Sequence, residues 1–303
     1  MAAPQNVIIC LYDCDGTLIR GDMQNPFLRS FGIDPTTFFK ESDQMTERER
    51  TQHQVEIDYE NAYMLLLLDY VQEGKLPPLS NHDLRSYGKM LQGITFKGLP
   101  DFFFKTKEMV LEDSRYREHN ITLEHYIVST GLKEMILGSP LNFGGILNGV
   151  YASEFRERDG RIAQIARAVG HQKKTEFLYM VNKGSNVPPY VNVNNNLPEE
   201  ERRVPWYNIL YFGDSGMKMT DHAAFATIRH MEVRSNGRKG KAVAVYDSES
   251  DQAQQRARGF LEAGRVHYTA PADYSINGAT FRLAKSLIKE AADQICLRNE
   301  YGR

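Results

Sequence analysis

At 303 residues the chain has room for about two ordinary domains of roughly 100 to 200 residues each. Its 41% hydrophobic and 25% charged content excludes a disordered, collagen-like or coiled-coil protein. Lys and Arg total 37 against 39 for Asp and Glu, so the net charge of −2 provides no broad attraction for nucleic acid or anionic membrane, and neither is an expected partner.

The strongest apolar cluster, Tyr63 to Leu68, ends at Asp69, far short of the ~20 residues that span a bilayer. The apolar run Val7 to Tyr12 lacks a basic flank and a small-residue cleavage site, so it reads as a buried strand and not as a signal peptide. Cys10, Cys14 and Cys296 are too few and wrongly placed for a disulfide framework, which points to a reducing cytoplasm. Alternation along the strand turns Cys14 away from Asp13 and Asp15, against a nucleophilic role for it.

In chain order, Val7–Tyr12 leads into the turn-forming run Asp13-Cys14-Asp15-Gly16-Thr17. From about Asp22 to Thr95 the patterning is helical. Asp34-Pro35 supplies an N-cap and first-position proline. Val55, Tyr59, Ala62, Tyr63, Leu66 and Tyr70 form the stripe of a long helix closed by Gly74 and Pro77. Ser80 and Asp83 resemble a capping pair for a third helix carrying Leu84, Tyr87 and Leu91. Roughly seventy helical residues after one strand predict an insertion, with a core at 1–21 and 96–303 and a helical cap at 22–95. Beyond Gly98 come an amphipathic segment, Phe102 to Leu111, and a strand ending at Ser129. Tyr151–Phe155 and Ile162–Ile165 are joined by a hairpin turn through Asp159-Gly160. Asn182 to Pro205 reads as a loop, Ile209–Phe212 and Ala242–Tyr246 as further buried strands, and Phe281 to Ile295 as a closing amphipathic helix. This rhythm predicts an α/β fold: a three-layer Rossmann-like parallel sheet core with an inserted, mostly α-helical cap.

Asp13-x-Asp15-Gly16-Thr17 stands where ligands of open α/β sheets bind, beyond the end of a buried strand. Strand alternation would face both carboxylates to one point. At ~4 Å and an effective dielectric of ~20, their repulsion is about 4 kcal/mol, which calls for a cation or a shared proton. The competing reading is an Asp-Gly turn whose carboxylates cap a loop. Ser129, with Thr130 beside it, is a candidate anion contact or an ordinary N-cap for the helical run from Leu132. Lys174 opens a helix whose apolar positions Phe177, Leu178 and Val181 share its face, whereas Lys173 faces solvent. Asp214, after the strand Ile209–Phe212, and Asp221 seven residues later would complete an oxygen set suited to Mg²⁺. The competing reading of Asp221 is an N-cap for the helix through Phe225, a role compatible with metal binding, and His222 reads as structural.

In this order the four pieces resemble the haloacid dehalogenase superfamily of phosphohydrolases. The resemblance implies that Asp13 is the nucleophile and Asp15 the general acid/base, and that Ser129, Thr130, Lys174 and Thr17 contact phosphate. It implies a Mg²⁺ site drawing on Asp13, Asp15, Asp214 and Asp221. One departure stands out: Lys218 and Met219 occupy the places where the family usually has its second acidic residue, and the family's Asp-x-x-x-Phe spacing selects Asp221 instead.

The expected activity is hydrolysis of a small phosphorylated metabolite through an aspartyl-phosphate, with phosphoserine, a nucleotide and a sugar phosphate as open substrates. Carbon–halogen cleavage does not need an acid at Asp15, and a non-enzymatic binding protein would lack the nucleophile or the acid. Tyr59, Asn61 and Tyr63 on the long cap helix are candidates to face the substrate, or else belong to the cap's own core.

Overall fold

The structure is a computed structural model that describes residues 5–170, 172–214, 221–234 and 240–302. Among the described residues seven strands form one sheet: β1 (Val7–Tyr12), β2 (Thr122–Leu132), β3 (Gly149–Arg158), β4 (Arg161–Arg167), β5 (Ile209–Asp214), β6 (Lys241–Tyr246) and β7 (Tyr268–Pro271). Their order is β4-β3-β2-β1-β5-β6-β7, parallel throughout except for the antiparallel β3–β4 pair. Successive strands add on one side of β1 and then on the other, so the end of β1 is a topological switch point.

β1 is buried along its whole length because both faces are covered. Ile8, Cys10 and Tyr12 belong to one hydrophobic cluster and Val7, Ile9 and Leu11 to the other. The first layer holds α5 (Asp101–Glu112) and α11 (Ala279–Tyr301); the opposite layer holds α8 (Lys173–Lys183), α9 (His222–Arg234) and α10 (Asp251–Glu262). The β3–β4 turn is the two-residue hairpin read from the sequence, with Asp159 and Gly160 at φ 52° and 72°.

The chain between β1 and α5 is helical: α1 (Gln24–Ser30), α2 (Pro35–Arg48), α3 (Tyr59–Gln72) and α4 (Asn81–Tyr87), with a 3₁₀ segment over Gly88–Ile94. Asp34 accepts from the Thr37 N–H at the start of α2, and Ser80 and Asp83 form a reciprocal capping box on α4. Val55 lies outside α3 and is exposed, because Gln54 turns left-handed at φ 56° and the helix begins only after Asp58. Outgoing and returning stems pair through Arg20 N–H to Ile94 O (2.7 Å) and Phe96 N–H to Leu18 O (3.0 Å).

The insertion is docked on the core. Its buried residues Phe27, Phe38, Leu66 and Leu84 share a hydrophobic cluster with Tyr12, Ile127 and Met135. α4 and the 3₁₀ segment after it cross α7 (Lys133–Gly138) backbone to backbone; a Cβ on Gly138 would overlap the Arg85 carbonyl, and one on Gly88 the Met135 carbonyl. β2 runs further than the expected end at Ser129, because pairing resumes at Leu132 with Ser153 beyond an irregular register. The helix after it starts only at Lys133 and has no side-chain cap, so Ser129 is not its N-cap.

Beneath the sheet end, His125 of β2 is fully buried, with Nδ1 3.1 Å from the Tyr12 hydroxyl and Nε2 3.1 Å from Thr106 Oγ1. Burial, helped by Lys107, pulls it down to about 3 from its ordinary 6.5. The fold therefore favours the neutral ring; that stability is complete above pH 6.5 and is lost as pH falls toward 3. Between pH 7 and 5 the wild type should lose about 2 kcal/mol through this group. Urea midpoints should show that extra loss and not show it in His125→Gln; equal slopes would remove His125 as the source.

Candidate active site

Asp13 follows β1 directly, and its N–H continues the ladder to the Phe212 carbonyl at 2.8 Å. The chain then coils: Leu18 N–H reaches back to Cys14 O at 2.8 Å, and Gly16 takes φ +71°. The strand ends at Tyr12, so the regular alternation does not carry through Asp13 to Asp15, and the two carboxylates have different hydrogen-bond partners. Asp15 Oδ1 accepts from the Met23 N–H at 3.0 Å, at the entry to the insertion. Gly16 is needed for space as well as for φ, since a Cβ there would stand 2.5 Å from Asp214 Oδ2.

Parallel register sets the rest level with this turn. Tyr12 pairs with Ile127 on one side and Phe212 on the other, so Cys14, Ser129 and Asp214 each lie two residues past that row. Asp214 ends β5; Asp221 immediately precedes α9, its carbonyl accepting from Phe225 N–H at 2.9 Å. Ser215, Gly216, Lys218 and Met219 lie outside the described residues.

Lys174, in the first turn of α8, is fully buried, its Nζ 2.8 Å from Asp13 Oδ1 and 2.7 Å from Asp221 Oδ1. Lys173 turns outward and donates to the Ala168 carbonyl. The Tyr211 hydroxyl donates to Asp221 Oδ1 at 2.6 Å, and Cys14 N–H donates to Asp13 Oδ1 at 2.8 Å. Asp221 Oδ2 is buried with no hydrogen-bond partner among the described residues, against Gly213, where any Cβ would collide with it.

Burial pushes the Asp13 carboxyl up, and the neighbouring Asp221 and Asp214 add to this against the pull of Lys174. Burial alone would lower Lys174, but Asp13 and Asp221 reverse that and hold it protonated. Asp13, Asp214 and Asp221 bring oxygens within 4.8 Å of one another. Three carboxylates beside one ammonium leave an excess of negative charge, and the orphaned Asp221 Oδ2 lies among hard oxygen donors. That donor set fits a magnesium-class ion and not a soft one. The Asp15 carboxylate is not part of this group.

The other expected residues divide. Ser129 is fully buried, and its Oγ accepts from Gly131 N–H at 3.0 Å. Thr17 is fully buried with Oγ1 unpartnered among the described residues. Thr130 is half-buried, and its carbonyl accepts from Tyr63 Oη at 2.8 Å and Ser153 Oγ at 3.0 Å. Tyr63 thus reaches the end of β2, while Tyr59 and Asn61 are half-buried. His222 packs on Phe260 and Arg265, outside the acidic group. Tyr211, Met23 and Ser153 are site residues that sequence pattern does not single out; the hydroxyl of Tyr211 in the apolar strand Ile209–Phe212 is the available signal.

Solved structures share this architecture. A phosphoserine phosphatase, titled as its phospho-aspartyl intermediate analogue, matches with TM-score 0.51 and 13% identity over 93% of this chain and 99% of its own. A HAD family hydrolase of Salmonella enterica serovar Typhi matches with TM-score 0.54 and 14% identity, over 95% and 72%. The chain has the haloacid dehalogenase fold. A probable phosphoserine phosphatase of Vibrio cholerae shares that fold too, with TM-score 0.53 and 14% identity over 100% of this chain and 69% of its own. In sequence, an uncharacterized protein of Borreliella burgdorferi is 28% identical over 244 residues, 75% of this chain and 80% of its own. No family model matches the chain.

Within this haloacid dehalogenase fold, Lys174 is the counter-charge for two buried carboxylates. Lys174→Met should cost about 3 kcal/mol at neutral pH, the range for a buried ion pair that loses one partner. The exposed repulsion raises the carboxylates in the folded state, so stability is lost as pH rises, and the deficit against wild type should shrink on acidification. Urea midpoints across pH check it; a deficit that grows in acid contradicts this electrostatic account.

Proposed function

We propose that the chain is a Mg²⁺-dependent phosphatase that hydrolyses a small phosphomonoester through an aspartyl-phosphate. The observation that carries the reading is Asp13, buried at the switch point of the sheet, held by Lys174 and set among Asp214 and Asp221. Asp13, Asp214 and Asp221 would hold the ion, with Asp15 close by in sequence. When bound, the ion neutralises the repulsion between the phosphate and Asp13.

Asp13 Oδ1 is held by Lys174 and the Cys14 N–H, so Oδ2 is the oxygen assigned to attack phosphorus. As the P–O ester bond breaks, Asp15 gives its proton to the leaving alkoxide; it later takes a proton from the water that cleaves the aspartyl-phosphate. The Met23 N–H holds the Asp15 carboxylate in place for both transfers. Ser129, Thr130, Thr17 and Lys174 are the assigned phosphate contacts, spreading developing charge over fixed donors.

Residues 22–95 are read as a cap on a core of 1–21 and 96–303, which makes the cap the source of substrate choice. Two of the similar structures carry phosphoserine phosphatase in their names, which supports a small phosphorylated metabolite as substrate through shared fold alone. A cytoplasmic location accords with three buried free cysteines, and no helix among the described residues is long and apolar enough to cross a membrane.

An aryl phosphate and a panel of phosphorylated metabolites test the reading. Turnover should require Mg²⁺, stop on chelation, and fall at least about a thousandfold in Asp13→Asn with the circular dichroism spectrum unchanged. Turnover that persists in Asp13→Asn removes the nucleophile assignment, and turnover in chelator removes the metal.

A further inference from the structure

A second group of metal-ligating side chains lies at the other end of the sheet. The helix α6 (Ser114–Glu118) leads through Ile121 into the amino end of β2, and the last turns of α11 approach the amino end of β1, where Arg298 donates to the Gln5 carbonyl at 3.0 Å. Between these two helices, His119, Cys296 and Glu300 bring a nitrogen, a sulfur and an oxygen within 4.8 Å of one another.

The chain builds this arrangement simply. Cys296 and Glu300 are four residues apart on α11, so they share a face one turn from each other. His119 is held at the end of α6 by its own N–H to the Arg115 carbonyl, and α6 is capped by Asp113. The Tyr116 hydroxyl and Arg115 both bond Asp293 Oδ1, at 3.1 and 3.2 Å, tying α6 to α11 a second and third time.

Three features point to a ligand. Cys296 is fully buried, and its thiol makes no hydrogen bond among the described residues although it lies beside an imidazole and a carboxylate. His119 Nε2 and Glu300 Oε1 are 3.1 Å apart, sharing a proton where a cation would replace it. Arg115 Nε donates to the same Glu300 oxygen at 3.2 Å, as an outer donor orients a carboxylate that binds metal. The His119 and Glu300 side chains remain 15% and 30% exposed, which leaves a path for an ion from solvent.

We propose that His119, Cys296 and Glu300 form a binding site for a divalent cation of the zinc class. Mixed imidazole, thiolate and carboxylate donors suit zinc and reject magnesium, whereas the all-oxygen group around Asp13 has the opposite preference. Three protein donors leave the fourth position of a tetrahedral ion to water. Binding releases the Cys296 thiol proton to solvent, displaces any proton on His119 Nε2 to Nδ1 or to solvent, and joins α6 to the end of the C-terminal helix. The site is independent of the phosphatase reading.

The full chain, stripped with chelator and returned to excess Mg²⁺ to cover the oxygen group, is titrated with Co²⁺. A thiolate-to-cobalt charge-transfer band should saturate at one equivalent, bleach on adding Zn²⁺, and be absent in Cys296→Ser. His119→Gln, which leaves the buried thiol untouched, should weaken Co²⁺ binding at least about tenfold. Zn²⁺ should raise the Tm of the wild type and not of Cys296→Ser. No band in the wild type, a band that survives in Cys296→Ser, or unchanged affinity in His119→Gln overturns the site.

Discussion

The Lys174 ammonium is the constraint around which the site is arranged. It is fully buried and bridges Asp13, at the end of β1, to Asp221, at the start of α9. Burying these charges apart would cost several kcal/mol for each, and their contact offsets that only with good geometry and further hydrogen bonds. The Cys14 N–H and the Tyr211 hydroxyl supply those bonds. Gly16 and Gly213 are consequences of the same crowding, because Asp214 and Asp221 occupy the volume a side chain would need at each.

The inserted helices take part in this arrangement through direct contacts. Met23 fixes Asp15 through its N–H, and its sulfur accepts the Leu132 N–H at 3.1 Å. Tyr63 on α3 and Ser153 on β3 meet at one carbonyl, that of Thr130, and the Ser153 hydroxyl in turn accepts the Val169 N–H ahead of α8. A displacement of the insertion would therefore be felt at Asp15 and at the end of β2 together. The α4–α7 crossing, tight enough to require Gly88 and Gly138, anchors the insertion beyond that point.

Much of this was open to reading from one-dimensional pattern. The apolar run Val7–Tyr12, the capping box at Ser80 and Asp83, and the Asp159-Gly160 hairpin are local signals, and each element formed where its residues prescribed it. The errors are local also. Val55 fell outside α3 because a left-handed Gln54 interrupts the helix, and Ser129 continued a strand because β3 offered partners beyond it. The four residues of β7 were too few to show alternation.

Residue type and short spacing were enough to establish the α/β rhythm, the helical insertion and the acidic residues at strand ends, since those depend on neighbours within a turn or a strand. Which carboxylates meet was decided by packing alone. Asp15, two residues from Asp13, is bonded through Oδ1 by the Met23 N–H and is not one of the grouped carboxylates, while Asp214 and Asp221 come to Asp13 from about two hundred residues further along the chain. Side-chain direction after a strand depends on the coil that follows it and on parallel register with strands distant in the chain, and no local periodicity encodes either.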